Sequence, residues 1–193
     1  MFLMSGATQA IIIVLVIVVF LALIFVAWAI TVSNNIKRIK IKVEESESGI
    51  DVALTQRFDM LTKMFQAVKG YMKHEKETLE NVVKMRQPGS SASMEDKQKF
   101  SNEVEKGLNA INVVVEQYPD LKASASMAKL QDATVNVEEN LQAARRIYNS
   151  NVAHYNRYIA VFPNSIMARR ANAKSLAYFE AEDVKRRDVN FDF

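Results

Sequence analysis

The pattern of apolar and polar positions changes character once, near residue 30. Residues 10–30 are apolar without a break, and no side chain carries a formal charge before Lys37. As a helix rising ~1.5 Å per residue, that run is ~32 Å long and matches a ~30 Å hydrocarbon core. Trp28 falls near its C-terminal end, a position that suits an indole at the membrane–water interface. A cleaved signal peptide competes with this reading, since Ala27-Trp28-Ala29 has the small-x-small form of a cleavage site. The segment ahead of the run has no Lys or Arg, however, and the run exceeds the roughly 7–15 apolar residues of a signal core. The pattern therefore favours an uncleaved anchor over residues 10–32, behind a short N-terminal segment, 1–9.

After the anchor the pattern becomes helical. Ile50, Leu54, Phe58, Leu61, Phe65, Val68, Met72, Leu79 and Val82 recur at gaps that are mostly three or four, which sets one stripe along a helix over 50–86. The stripe lapses at Glu44-Glu45-Ser46-Glu47-Ser48-Gly49. Two readings stay open there: a junction between a juxtamembrane segment, 33–49, and a packed bundle, or a solvated stretch of one continuous helix. Gln87-Pro88-Gly89-Ser90-Ser91-Ala92-Ser93 is a loop by composition, and Ser93 with Asp96 three residues on marks a helix start. Phe100, Val104, Leu108, Ile111, Val115 and Tyr118 predict a second helix that stops at Pro119. Met127, Leu130, Val137, Leu141, Ala144, Tyr148, Val152, Tyr155, Ile159 and Phe162 predict a third, closed by Pro163, with a short fourth over 164–170. The equal spans 50–86 and 126–162 suit an antiparallel pair. The expected fold is all-α: a single transmembrane helix followed by an elongated antiparallel bundle of about four helices over 50–170, then a tail, 171–193.

Composition narrows the chemistry. Five Gly and three Pro in 193 residues argue against a loop-rich β-sandwich. The absence of Cys removes disulfides, thiolate metal sites and thiol nucleophiles. The net charge of +3 comes from 25 basic against 22 acidic residues, too balanced to suggest a nucleic-acid partner. Lys37, Arg38, Lys40 and Lys42 follow the apolar run directly, and the positive-inside rule then keeps the helical region in the cytoplasm and sends the N-terminus out. Together with Trp28 these four form the expected membrane-interface set, and the lipid bilayer is the first expected partner.

Several strings resemble the LemA family. Val68-Lys69-Gly70-Tyr71 with Lys73-His74-Glu75-Lys76-Glu77-Thr78-Leu79 is one. Tyr118-Pro119-Asp120-Leu121-Lys122-Ala123, Ala143-Ala144-Arg145-Arg146, Tyr148-Asn149, Tyr155-Asn156, Phe162-Pro163 and Tyr178-Phe179-Glu180-Ala181 follow in the family's order. Where the family often has an Ile-Pro-Asn-Leu-like stretch, this chain has Leu61-Thr62-Lys63-Met64 and lacks the proline that would kink the helix. The resemblance implies a bacterial, single-span membrane protein with a cytoplasmic helical bundle. Some relatives take part in forming internal membranes and some are encoded near membrane metalloproteases. It therefore implies a scaffold that organises or shapes membrane, with an adaptor for a membrane protease or envelope-stress system as the alternative.

No residue set rises to a catalytic, cofactor or metal site. Neither His74 nor His154 has the Glu three residues before it that a bundle metal site requires. There is no nucleophile elbow and no glycine-rich phosphate loop. A non-enzymatic, self-assembling interaction protein, without cofactor and with a membrane protein as a further partner, is the expectation. Arg57 and Asp59 interrupt an apolar stripe, and the pattern favours ordinary surface ion pairing over a polar network. Tyr148 and Tyr155 follow the third stripe and are expected in the core rather than in an aromatic ligand box. Arg145, Arg146, Arg169, Arg170, Tyr178, Phe179, Phe191 and Phe193 are the candidate contacts to a partner or second copy. Docking of the tail on its own bundle is the leading alternative to such contacts, and a disordered tail is the third.

Overall fold

The structure is a computed structural model that describes residues 6–71 and 84–180. Those residues form five helices and no strand: α1 (Gly6–Val68), α2 (Met94–Gln117), α3 (Pro119–Lys122), α4 (Ala125–Ala160) and α5 (Asn164–Arg170). The described residues divide into two units, and α1 and α4 each contribute to both. Unit one takes in 6–42 and 154–176, and unit two takes in 43–71, 84–153 and 177–180.

In unit one, α1 exposes apolar side chains on every face from Ile11 to Val26, and again at Ile30. A helix apolar all round and bare of protein is stable when lipid surrounds it, because its backbone polar groups are satisfied internally. This is a candidate membrane span by length and composition. Four residues apart past the run, Val32 and Ile36 are buried, as are Tyr155 and Ile159 of α4 and Ala168 of α5. Asn172 ends α5 in the left-handed conformation (φ 51°). The N–H of Asn172 donates to the Arg169 carbonyl (3.0 Å) and that of Ala173 to the Ala168 carbonyl (2.9 Å), a double closure that satisfies the last turn.

In unit two, Val43, Ile50, Leu54, Arg57, Leu61, Met64 and Val68 form a buried line along α1, with Ser46, Ala53, Met60 and Phe65 buried beside it. The spacing of that line after Ile50 alternates four and three, the seam of a packed helix. Lys97, Ser101, Val104, Leu108, Ile111 and Val115 repeat that spacing on α2. Contacts fix the directions. Arg57 meets Ser101 and Leu61 meets Gly107, so α2 runs parallel to this part of α1. Arg57 meets Glu138 and Met64 meets Thr134, so α4 runs antiparallel to it, as the matched helix spans suggest.

Local signals bound α2 and α5 close to where the sequence places them. Ser93 caps α2: its hydroxyl accepts the Asp96 N–H (3.1 Å) and donates to the Asp96 carboxylate (2.6 Å). Tyr118 closes α2, and Pro119 opens α3 at a position where its missing N–H has no intrahelical acceptor. α5 spans the residues expected of the short fourth helix.

Two features differ from the pattern. The acidic stretch 44–49 is helical and continuous with its neighbours, and the division between the two units falls just before it, at Lys42 and Val43. The stripe survives there as Val43, Ser46 and Ile50, while the Glu side chains point outward or toward α2. Downstream, α1 stops at Val68 instead of continuing toward 86, and Lys69–Tyr71 turn, with the Tyr71 N–H on the Val68 carbonyl (2.8 Å). Gly70 contributes to the stop, since glycine is about 1 kcal/mol less favourable than alanine within a helix. The remainder of that expected helix, 72–83 with His74, lies outside the described residues.

Gly107 lets α2 approach α1 closely: a Cβ there would lie 3.1 Å from Leu61 Cδ1 and 3.2 Å from Cδ2. Gly107→Val should therefore overpack this seam and cost about 1–3 kcal/mol. Thermal unfolding followed by circular dichroism checks it, and adding Leu61→Ala should recover part of the loss.

Candidate functional site

The densest assembly of polar chemistry is in unit two, where residues 177–180 lie on α4 and α2. It begins at Arg57, a seam position of α1 that is only 4% exposed. Its guanidinium donates to the Ser101 carbonyl (3.1 Å) and hydroxyl (3.2 Å). It pairs with Glu138 of α4 at 2.8 Å and approaches Glu105 of α2 at 3.6 Å. Arg145, two turns along α4 from Glu138, donates to the same Ser101 hydroxyl at 2.7 Å. Two guanidinium groups thus share one serine, flanked by two carboxylates. Burial first, and then the nearby positive charge of Arg57, holds the Arg145 pKa below its ordinary value.

Arg145 in turn covers the tail. Its guanidinium carbon sits 4.5 Å from the centroid of the Phe179 ring, and Phe179 is 2% exposed. The backbone of the segment is held by side chains rather than by a neighbouring strand. Asn149 accepts the Phe179 N–H (2.8 Å) and donates to the Phe179 carbonyl (2.9 Å). Tyr148 donates its hydroxyl to the Ala177 carbonyl (3.0 Å), and Gln98 of α2 accepts the Glu180 N–H (3.3 Å). Tyr178, half-exposed, lines an open cleft of about 510 Å³ with Met94, Gln98 and Asn102 of α2. Seven residues along α4, within unit one, Asn156 makes the same two bonds to the N–H and carbonyl of Leu176, each 2.9 Å. A carboxamide that both accepts and donates reads peptide backbone without reading sequence.

A second buried cation braces the start of α2. Lys97 is fully buried, and its ammonium donates to Glu47 (2.8 Å), Asp51 (2.8 Å) and the Ser90 carbonyl (3.2 Å). Burial pulls its pKa down, and the bonds to Asp51 and Glu47 outweigh that and hold it above the ordinary lysine value.

The sequence candidates fall in three places. Arg145, Phe179 and Tyr178 come together at the docked segment, on the chain's own bundle. Arg146 projects to solvent beside it. Trp28, Lys37, Arg38, Lys40, Lys42, Arg169 and Arg170 belong to unit one. Trp28 packs on Phe25 with ring centroids 5.4 Å apart, and Lys37, Arg38, Arg169 and Arg170 are exposed. Phe191 and Phe193 lie outside the described residues. Arg57 is in a buried network rather than in a surface pair, because its position lies on the seam and not beside it. Asp59, by contrast, is exposed.

Pattern reading passed over Lys97, Ser101, Asn149 and Asn156 as site residues. The signals were present: Lys97 and Ser101 keep seam spacing with Val104, and Tyr-Asn recurs at 148–149 and 155–156, one heptad apart. Among the described residues there is no group of three or more metal-ligating side chains. The assembly clamps backbone and buries cations, and its chemistry is that of holding.

Comparison with known proteins gives one coherent result. The profile of the LemA family matches residues 46–193. Protein LemA of Metamycoplasma hominis is 27% identical over 159 residues, covering 81% of this chain and 73% of that protein.

The clamp yields two expectations. Asn149→Ala removes both bonds to Phe179, each worth about 1 kcal/mol. Hydrogen exchange at the Phe179 amide should accelerate roughly tenfold or more, whereas Arg146→Gln should leave it unchanged. Burial, and then Glu47, push the Tyr148 phenol up to about 12. The folded state therefore favours the neutral phenol, so Tyr148 stabilises the fold below the unfolded value of about 10 and loses that contribution as pH rises toward 12. Ultraviolet titration of tyrosinate should show a late step that is missing in Tyr148→Phe.

Proposed function

This chain belongs to the LemA family, and from that membership and its architecture we propose that it is a non-enzymatic, membrane-anchored scaffold that assembles with copies of itself and organises membrane. One observation carries the reading: a single helix, α1, supplies both the apolar span and the central seam of the bundle unit. Here the apolar run and the packing positions of the bundle unit belong to one helix, and this suits a protein whose work is positional.

Lys37, Arg38, Lys40 and Lys42 follow the span and support a cytoplasmic location for the bundle under the positive-inside rule. Protease adaptation is the competing role within the same family frame, and the experiment separates the two.

Because the chain has no Cys, Ser91→Cys in the exposed loop before α2 gives a single reporter in the full-length protein. In intact cells a membrane-impermeant thiol reagent should fail to label it, with full labelling after lysis. A bifunctional thiol cross-linker that crosses membranes should then trap dimers or larger species. Labelling in intact cells overturns the orientation. Recovery of a stoichiometric peptidase with the monomeric chain replaces the scaffold by the adaptor.

A further inference from the structure

Unit one leaves a small apolar cluster uncovered where α4 turns into α5. Phe162 is 77% exposed, more than any other large apolar side chain among the described residues, and Val161 (54%) and Ile166 (47%) flank it. Three such groups within six residues are unusual on a surface that meets water. The sequence gives the turn little else to offer: Pro163 follows Phe162 and lacks an N–H, and Asn164 and Ser165 are its polar side chains.

The height of this turn along α1 decides what it meets. α5 lies against the last turns of the apolar run, and the two helices form a groove lined by Phe25, Ala29 and Ser33 of α1 and by Ile166, Met167 and Arg170 of α5. The apolar run ends at Ile30, with Trp28 just inside that limit. The turn is therefore level with the boundary between acyl chains and headgroups wherever α1 crosses a bilayer. Arg169 and Arg170 stand three and four residues beyond Ile166, on the same face of α5, and both are exposed. An apolar tip with two guanidinium groups one turn away has the order of chemistry found at that boundary: acyl chain, then phosphate.

We propose that residues 161–170 are a second membrane contact of this chain: Val161, Phe162 and Ile166 insert into the acyl–headgroup boundary of the leaflet from which α1 emerges, and Arg169 and Arg170 bind lipid phosphates there. The inference rests on the reading of α1 as a membrane span. Lipid is the occupant because Ile166 of the cluster shares a groove with the apolar Phe25, Ala29 and Ile30 of α1 and because the cluster's polar edge is cationic. A helix gripped at one line alone can rotate about its axis in the bilayer. One that also carries a wedge at the interface is fixed in rotation and depth.

The test uses the full-length chain in vesicles of phosphatidylcholine and phosphatidylglycerol, with an environment-sensitive fluorophore on one introduced Cys at a time. Val18→Cys reports the middle of the span, Ser91→Cys reports the aqueous loop, and Val161→Cys reports the turn with Phe162 intact. The expected result is that the label at 161 is quenched by lipids carrying a nitroxide near the headgroup and loses quenching by aqueous iodide. Adding Phe162→Asp should restore iodide quenching at 161 toward the level at 91. Arg169→Gln with Arg170→Gln should reduce the lipid quenching, and no reduction overturns the phosphate contact. Iodide quenching at 161 equal to that at 91, with 18 still protected, overturns the wedge and leaves the anchor standing. Protection from iodide without quenching by lipid means that protein covers the turn, and also overturns it. Iodide quenching at 18 overturns the anchor and the wedge together.

Discussion

A guanidinium that is almost wholly buried must find acceptors, and Arg57 finds them on two other helices. That requirement sets much of unit two. Ser101 must face α1 at one height, which fixes the sliding position of α2. Glu138 must reach the same point, which fixes α4. Apolar seams alone tolerate a shift of one heptad at modest cost, because one leucine resembles another. A buried cation does not tolerate it, since removing one partner of a buried pair costs about 3–5 kcal/mol. The same network extends outward: Ser101 also receives Arg145, and Arg145 lies over Phe179. The placement of the docked segment therefore depends on a residue near the middle of the bundle.

Lys97 repeats the device two turns away along α1. It sits at a seam position of α2, and its partners Glu47 and Asp51 lie one turn apart on α1. The two buried cations come from opposite helices, one from α1 and one from α2, and each is answered across the interface. Parallel packing of these helices follows from the pair of contacts, since 47 and 51 meet 97 while 57 meets 101 and approaches 105.

Much of the fold was legible because its signals are local. Prolines at 119 and 163 interrupt helical pattern, Ser93 with Asp96 writes a cap, and the apolar run of α1 declares itself by length. The stop at Val68 is not legible, because the stripe continues in the sequence through Phe65, Val68 and Met72 and a lone Gly70 weakens a helix without forbidding it. The polar residues of the site were harder for a different reason. Period analysis scores Arg57, Lys97 and Ser101 as gaps in a stripe, whereas they occupy the stripe itself. Asn149 and Asn156 were equally hidden, since nothing local reveals that a carboxamide on a helix serves an extended segment thirty and twenty residues downstream.

The placement of charge separates the two units. In unit two, Arg57, Lys97 and Arg145 are drawn inside and matched with carboxylates, serine or an aromatic face, so their charge is consumed in fixing register. In unit one, Lys37, Arg38, Arg169 and Arg170 stand exposed around the end of an apolar helix. The net charge of +3 conceals this division. Cations that build a bundle are buried among acceptors supplied by the chain. Cations that face outward at the edge of an apolar span look for acceptors elsewhere, and at that depth a bilayer presents phosphates.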